Sequence, residues 1–369
     1  MNAVFMIMKA KVLFLEGREP LPGTNGFIVL SESVCALFHD IRFYEKERIM
    51  RNRTIHIMMA AALALGFLTS APVHGGQRMQ ALVMATGATS STGYILGGSI
   101  ADLLTRKMEN TVVTIQATGG SIENVRLVRD GQVEIGHSTE VYNSWNGLGG
   151  FKTEGPIHDI VPMMQYGAWA SHIIVNHNSP VQKIEDLKGL RVGLGAAGSG
   201  NAINSEAILK AHGMTFADIR PEYLSYTEQI DALKDGNIDV AMIMTVAPGS
   251  TIVQMATQDK IRLISIAPEM VKKIVADNAI YTPVTLPAGT YQGVDVETTT
   301  VNSPGWFVVR SDMDEELVYQ IVKIIADSLD ELRAINAEFR VLRLEMMPET
   351  LGIPLHPGAA RFFKEIGLL

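Results

Sequence analysis

The sequence predicts an α/β fold of two similar lobes, on three observations. Residues 122–136 and 230–241 repeat one pattern: a short helix, a glycine stop (Gly131, Gly236), then a strand that alternates apolar and acidic residues. Glycine suits the left-handed position just past a helix C-terminus. Three times a strand runs through a Gly/Ser/Thr turn into a helix, the alternation of a largely parallel sheet with its ligand loops at the carboxyl ends of strands. The third observation is length. An accidental likeness between two common αβ units is the alternative, but residues 76–369 are enough chain for two cores.

The first 49 residues show no sustained periodicity. They read as an upstream extension from a mis-called start, with a cytoplasmic extension on an anchored protein as the alternative. A signal peptide is expected at 50–75. Arg51 and Arg53 form its basic n-region, residues 55–68 its apolar h-region, and Val73-His74-Gly75 its small-residue cleavage site. A membrane anchor is disfavoured, because the run is shorter than the ~20 residues that span a bilayer and Pro72 follows closely. The expected location is the periplasm.

Removing the 8 Lys/Arg and 6 Asp/Glu of residues 1–75 from totals of 31 and 39 leaves 23 and 33, a formal charge of −10. Such a surface argues against nucleic acid and anionic membrane, which select basic patches. The one cysteine, Cys35, lies upstream of the signal, so the exported chain carries neither disulfide nor thiolate metal ligand.

In order, residues 81–85 form a strand, 86–93 a turn and 94–104 a helix. Residues 112–117 and Thr118-Gly119-Gly120-Ser121 lead into the helix from Ile122. In the second lobe a strand at 190–194 and the turn 195–201 lead into a helix over 202–212. These turns point to an anion. A helix start leaves N–H groups unpaired and partly positive, and glycines let a ligand reach the backbone. The plain alternative is that Ser121 and Ser199 only cap their own helices. Nucleotide readings fail: Gly195 to Gly200 spells G-x-x-G-x-G, and no turn carries G-K-[ST]. Ser199 lacks the first glycine of a nucleophile elbow, and neither H-E-x-x-H nor a paired-carboxylate constellation is present. His137, at a strand end, is either a cleft residue or ordinary packing. No enzyme, cofactor or metal is expected.

The ordered motifs resemble those of the TAXI branch of solute receptors, which serve tripartite ATP-independent periplasmic (TRAP) transporters. The likeness covers most of residues 80–369. It rests on the turn before Tyr94, Thr118-Gly119-Gly120-Ser121 with Glu123-Asn124, Asp186-Leu187-Lys188-Gly189, and Gly198-Ser199-Gly200. Later come Pro287-Ala288-Gly289-Thr290-Tyr291 and the run from Ile353 to Ala359. The resemblance implies a two-lobed class II periplasmic-binding-protein fold that closes like a flytrap. Lobe I comprises 77–169 and 307–369, lobe II comprises 170–306, and the hinge lies at 168–172 and 303–306. It further implies a monomer that binds a small carboxylate and delivers it to an ion-gradient-driven TRAP permease; a periplasmic ligand-sensing module is the alternative. By motif the ligand residues are Ser91, Tyr94, Thr118, Gly120, Ser121, Ser199, Gly200 and Asn201. Thr139, Tyr166, Thr245 and Tyr291 join them from strand ends and the return loop. Departures stand at Tyr166-Gly167-Ala168, Ser138-Thr139-Glu140 and Asn201, so ligand identity is not carried over. A helix over 314–332 is expected to return to lobe I, and His356-Pro357-Gly358 to form a fixed turn.

Overall fold

Three strand–helix units open the described chain: β1 (Gln80–Ala85) and α1 (Thr92–Lys107), β2 (Thr111–Gln116) and α2 (Ser121–Arg129), β3 (Ile135–Ser138) and α3 (Val141–Asn146). The computed structural model describes residues 79–369. The upstream extension (1–49) and the signal peptide (50–75) lie outside the described residues. After the long strand β4 (Ile160–Asn176), three more units follow: β5 (Arg191–Gly193) and α4 (Gly200–Ala211), β6 (Arg220–Glu222) and α5 (Tyr226–Lys234), β7 (Val240–Thr245) and α6 (Ser250–Gln258). The chain then runs through β8 (Ile261–Leu263), α7 (Pro268–Asp277), β9 (Thr282–Leu286) and β10 (Thr298–Arg310). It closes with α8 (Glu315–Asp327), α9 (Leu329–Ile335) and α10 (Pro357–Glu365).

The strands form one mixed sheet in the order β2-β1-β3-β10-β4-β7-β5-β6, with β8 on β4 and β9 on β10. Each end is parallel, as the alternation of strand and helix requires: β1 pairs β2 and β3, and β5 pairs β6 and β7. The centre is antiparallel. β4 and β10 run side by side from Ile160–Arg310 to Ala170–Asn302, and each changes its other partner on the way. β10 meets β3 at Trp306 to Val308 and β9 at Thr298 to Asn302. β4 gains β7 from Ala170 and β8 from Ile174. The β4–β10 register shifts between Gly305 and Trp306.

The expected α/β fold with two lobes is what the structure shows. Buried side chains gather on either side of the strand crossing. Leu82, Leu96, Phe307, Ile321 and Phe363 share one cluster, while Ile173, Val192, Ile208 and Ile274 share another. In α8 the buried Val318, Ile321, Val322 and Ile325 stand at helical spacing, so one stripe faces the first core. The single helix expected over 314–332 is broken at Ser328, which ends α8 and precedes α9; its hydroxyl accepts from Lys107 Nζ at 2.9 Å. His356-Pro357-Gly358 starts α10: the imidazole Nδ1 accepts from Gly358 N, and Pro357 occupies the first helical position. Gly131 and Gly236 follow α2 and α5 with φ of 65° and 72°, the left-handed stops that the repeat predicts.

Candidate functional site

Helices α1, α2 and α4 begin on one pocket, and Ser225 and Tyr226 at the start of α5 border it. Its walls include Thr86, Ser91 and Thr92 from the first turn, Gly119, Gly120 and Ser121 from the second, and Gly195, Ser199, Gly200 and Asn201 from the third. His137, Thr139, Trp169, Ser225, Tyr226 and Met244 complete it. These turns follow the carboxyl ends of β1, β2 and β5, where parallel strands deliver loops. The pocket leaves about 60 Å³ open to a water-sized group. At ~15 Å³ per water-sized sphere it holds roughly four such groups, the scale of a small solute.

Its polarity comes from side-chain hydroxyls and from backbone. The first N–H groups of a helix have no intrahelical carbonyl, which leaves those of Thr92, Gly93, Ser121, Ile122, Gly200 and Asn201 at the three helix starts. Each start also carries the positive end of a helix dipole. No Lys, Arg, Asp or Glu side chain lines the pocket. His137 adds no charge near neutrality, because burial pushes its imidazole down to about 4. The site is therefore uncharged but directed at an anion.

The two lobes meet there. Thr92 and Thr245 share a hydrogen bond of 2.7 Å between hydroxyls from opposite sides. Gly120 has φ of 115°, a conformation that favours glycine, and a Cβ there would stand 3.2 Å from Ser199 Cα. The Ser121 hydroxyl accepts from Thr139 N and shares a hydrogen bond with Thr139 Oγ1, both at 3.1 Å. Trp169 walls the base from β4. Its indole lies over Gly305, where a Cβ would come within 1.9 Å of the ring.

Of the residues expected from sequence, Ser91, Gly120, Ser121, Thr139, Ser199, Gly200 and Asn201 line this pocket. Ser91 and Ser199 are also caps, accepting from Tyr94 N at 3.3 Å and Ala202 N at 3.2 Å. The other five stand outside the lining. Tyr94 borders a separate depression with Ile95 and Ile335. Thr118 fixes its turn, donating to Asn124 Oδ1 at 2.6 Å and accepting from Gly120 N at 3.2 Å. Tyr166 is buried, stacked on Phe307 at 3.9 Å, with its hydroxyl bonded to His137 Nδ1. Thr245 is bonded to Thr92. Buried Tyr291 bonds His172 Nε2 at 2.8 Å and accepts from Gly249 N at 3.1 Å.

Sequence reasoning missed Thr86, Thr92, Ser225 and Met244. Ser225 had a readable signal, the capping box Ser225-Tyr226-Thr227-Glu228 that the structure forms at the start of α5. Met244 had none. Among the described residues no group of three His, Cys, Asp or Glu side chains could hold a metal ion, and no helix is long and apolar enough to cross a membrane.

Residues 84–367 match the NMT1-like family. The chain belongs to that family. A stretch of 70 residues is 36% identical to a protein described as a putative aliphatic sulfonates-binding protein of Escherichia coli K12. That stretch is 19% of this chain and 22% of that relative, so the chain spans about a fifth of the curated relative it matches. Among solved structures, MatC of Rhodopseudomonas palustris with bound malate aligns at a TM-score of 0.51 with 14% identity, over 78% of this chain and 96% of that one. The periplasmic aliphatic sulphonate binding protein SsuA of Escherichia coli aligns at 0.42 with 17% identity, over 77% and 83%. At these identities the first likeness speaks to the fold, which this member of the NMT1-like family shares with a protein that holds a small dicarboxylate.

Proposed function

We propose that this protein is a periplasmic solute receptor that closes two lobes over one small carboxylate and delivers it to a TRAP-type permease driven by an ion gradient. The observation that carries the reading is the meeting of three helix N-termini, two from one lobe and one from the other, at a small pocket without charged side chains. An anion there is gripped by both lobes at once, so binding and closure are the same event. The magnitudes suffice. Charge-assisted hydrogen bonds contribute about 1.5–3 kcal/mol each, and four or five of them, less ordering costs, reach the ~8 kcal/mol of a micromolar complex.

The lobes of this reading are 77–169 with 307–369, and 170–306. They turn about β4 near Ala170 and β10 near Gly305, where the strands change partners. The TAXI assignment rests on the ordered turn motifs, export on residues 50–75, and the receptor acts as a monomer. Nothing in the pocket supplies an acid–base pair for turnover: His137 is its one titratable group besides Tyr226.

A thermal-shift screen of the purified protein against mono- and dicarboxylates, amino acids, sulfonates, sugars and phosphate esters tests the reading. A carboxylate at a hundred times its Kd adds about 2.7 kcal/mol. A response confined to carboxylates supports the proposal. A response to sulfonates alone keeps the anion pocket and overturns the substrate class, and a response to sugars alone overturns both.

A further inference from the structure

Away from the shared strands, side-chain hydrogen bonds join the two lobes at three places among the described residues. Two are neutral: Thr92 with Thr245 at the pocket rim, and Asn278 Nδ2 donating to Asn143 Oδ1 at 3.1 Å. The third carries a carboxylate. Glu338 Oε1 accepts from Ser250 N at 3.1 Å and from Ser250 Oγ at 2.5 Å.

The partners belong to different cores. Glu338 lies on a short 3₁₀ turn (Ala337–Val341) whose Phe339 packs with Leu332, Leu342 and Phe307. Ser250 is the first residue of α6, whose Ile252, Met255 and Ala256 pack with Ile243 and Leu263. α6 has no cap of its own: it follows Gly249, which has no side chain to cap it, and its first turn holds no acidic residue. The anion at this helix start therefore comes from the other lobe. Glu338 is 5% exposed, so the contact is made out of water. Its other oxygen, Oε2, is buried without a hydrogen-bond partner among the described residues. None of these groups lines the ligand pocket.

We infer that Glu338 is a positioning residue that sets ligand affinity from outside the pocket, by capping α6 across the hinge only when the lobes are closed. When the lobes part, the carboxylate and the α6 N–H groups both return to water, so the contact counts wholly toward closure. Apparent affinity scales with the fraction of molecules in the closed, binding-competent form. The unpaired Oε2 opposes the gain from Ser250. The clasp thus biases the closed form without locking it, and a ligand retains control. In chemistry Glu338 does for α6 what the anion does for α1, α2 and α4. The inference rests on the receptor reading only in holding that closure traps the anion.

The test is a ligand-free distance measurement on the full chain. In a Cys35→Ser background, spin labels on Glu109→Cys in one lobe and Lys272→Cys in the other report closure by pulsed electron resonance. Both positions are exposed. Glu338→Ala is expected to lower the closed-to-open ratio by about fivefold, and Glu338→Gln, which keeps the volume and a carbonyl acceptor, by about twofold. Ser250→Ala should show little further loss in the Glu338→Ala background. A common unfolding cooperativity across the variants marks the shift as closure and not misfolding. Distance distributions identical in wild type, Glu338→Ala and Glu338→Gln overturn the clasp. The receptor reading fails separately: a Glu338-dependent shift with no carboxylate response in the thermal screen leaves the clasp and removes the carboxylate.

Discussion

Asn124 and Asn201 perform the same task in the two lobes. Asn124 Nδ2 donates to Thr86 O at 2.6 Å and to His137 O at 2.7 Å, joining the ends of neighbouring β1 and β3. Asn201 Nδ2 donates to Leu194 O at 2.5 Å and to Met242 O at 2.7 Å, joining β5 to β7. Each amide oxygen is also used, by Thr118 Oγ1 in one lobe and Met244 N in the other. Both side chains sit in the first turn of a helix that starts on the pocket. Asn201 thus has no amide hydrogen left for a ligand, and what it offers is its backbone N–H.

Truncation of either clamp leaves two strand-end carbonyls and one further group unpaired in the interior. Each such group costs about 1–3 kcal/mol. Asn124→Ala and Asn201→Ala are each expected to lose about 3 kcal/mol of unfolding free energy in urea titration. A loss under about 1 kcal/mol would mean that water replaces the amide at no cost.

Ser199 is both a cap and a pocket residue, and one substitution separates the two roles. Glycine caps a helix nearly as well as serine, within a few tenths of a kcal/mol, whereas alanine costs about 1 kcal/mol. Ser199→Gly should keep stability and lose about 1–3 kcal/mol of carboxylate binding by calorimetry, the value of a hydrogen bond to a charged group. Unchanged affinity would reduce Ser199 to a cap.

Gly200 tests closure directly. A Cβ there would stand 2.3 Å from Thr139 Oγ1 and 3.1 Å from Ser121 Oγ, both on the opposite lobe. In an open molecule that methyl meets nothing across the cleft, and alanine is the better helix former by up to ~1 kcal/mol. Gly200→Ala should therefore unfold no more easily than wild type while binding carboxylate at least tenfold more weakly. Equal loss of stability and affinity would instead place the clash inside one lobe.

Much of this was legible because backbone chemistry writes itself into sequence. Glycine stops at 131 and 236 and Gly/Ser turns before helices are local signals, and the structure puts seven of the twelve expected residues on the pocket. The other five stand outside that lining, and the reasons are tertiary. Tyr166 and Tyr291 sit on β4 and the return loop as expected, but their hydroxyls turn inward to His137 and His172. Tyr94 lies in the first turn of α1 but lines the separate depression that includes Ile335, not the pocket of Thr92 and Gly93. The partner of Glu338 could not be read at all, since residues 250 and 338 are joined only by the return of the C-terminal segment.

Glu140 gives the molecule a pH signature that substitution can isolate. Its carboxyl is 1% exposed, accepts from Asn143 Nδ2 at 2.6 Å, and is pushed by burial up to about 7 from 4.5. The folded state holds this proton to a higher pH than the unfolded chain does. Its contribution is therefore fully present below about 4.5 and is lost as pH rises through about 7. At 1.36 kcal/mol per pH unit the loss is about 3 kcal/mol. His172 acts in the opposite sense. Burial lowers it to about 4, so its contribution is present above 6.5 and is lost as pH falls through about 4. His137, which burial likewise lowers to about 4, acts with it, so in the wild type Glu140 offsets only part of the histidine slope across that window. Glu140→Gln keeps a carbonyl to accept from Asn143 and removes one side of that balance. In urea titrations the variant should match wild type near pH 4, exceed it by up to about 3 kcal/mol at pH 7.5, and show the histidine slope uncovered between. A stability difference that stays constant from pH 4 to 7.5 would mean that Glu140 does not hold its proton in the folded protein.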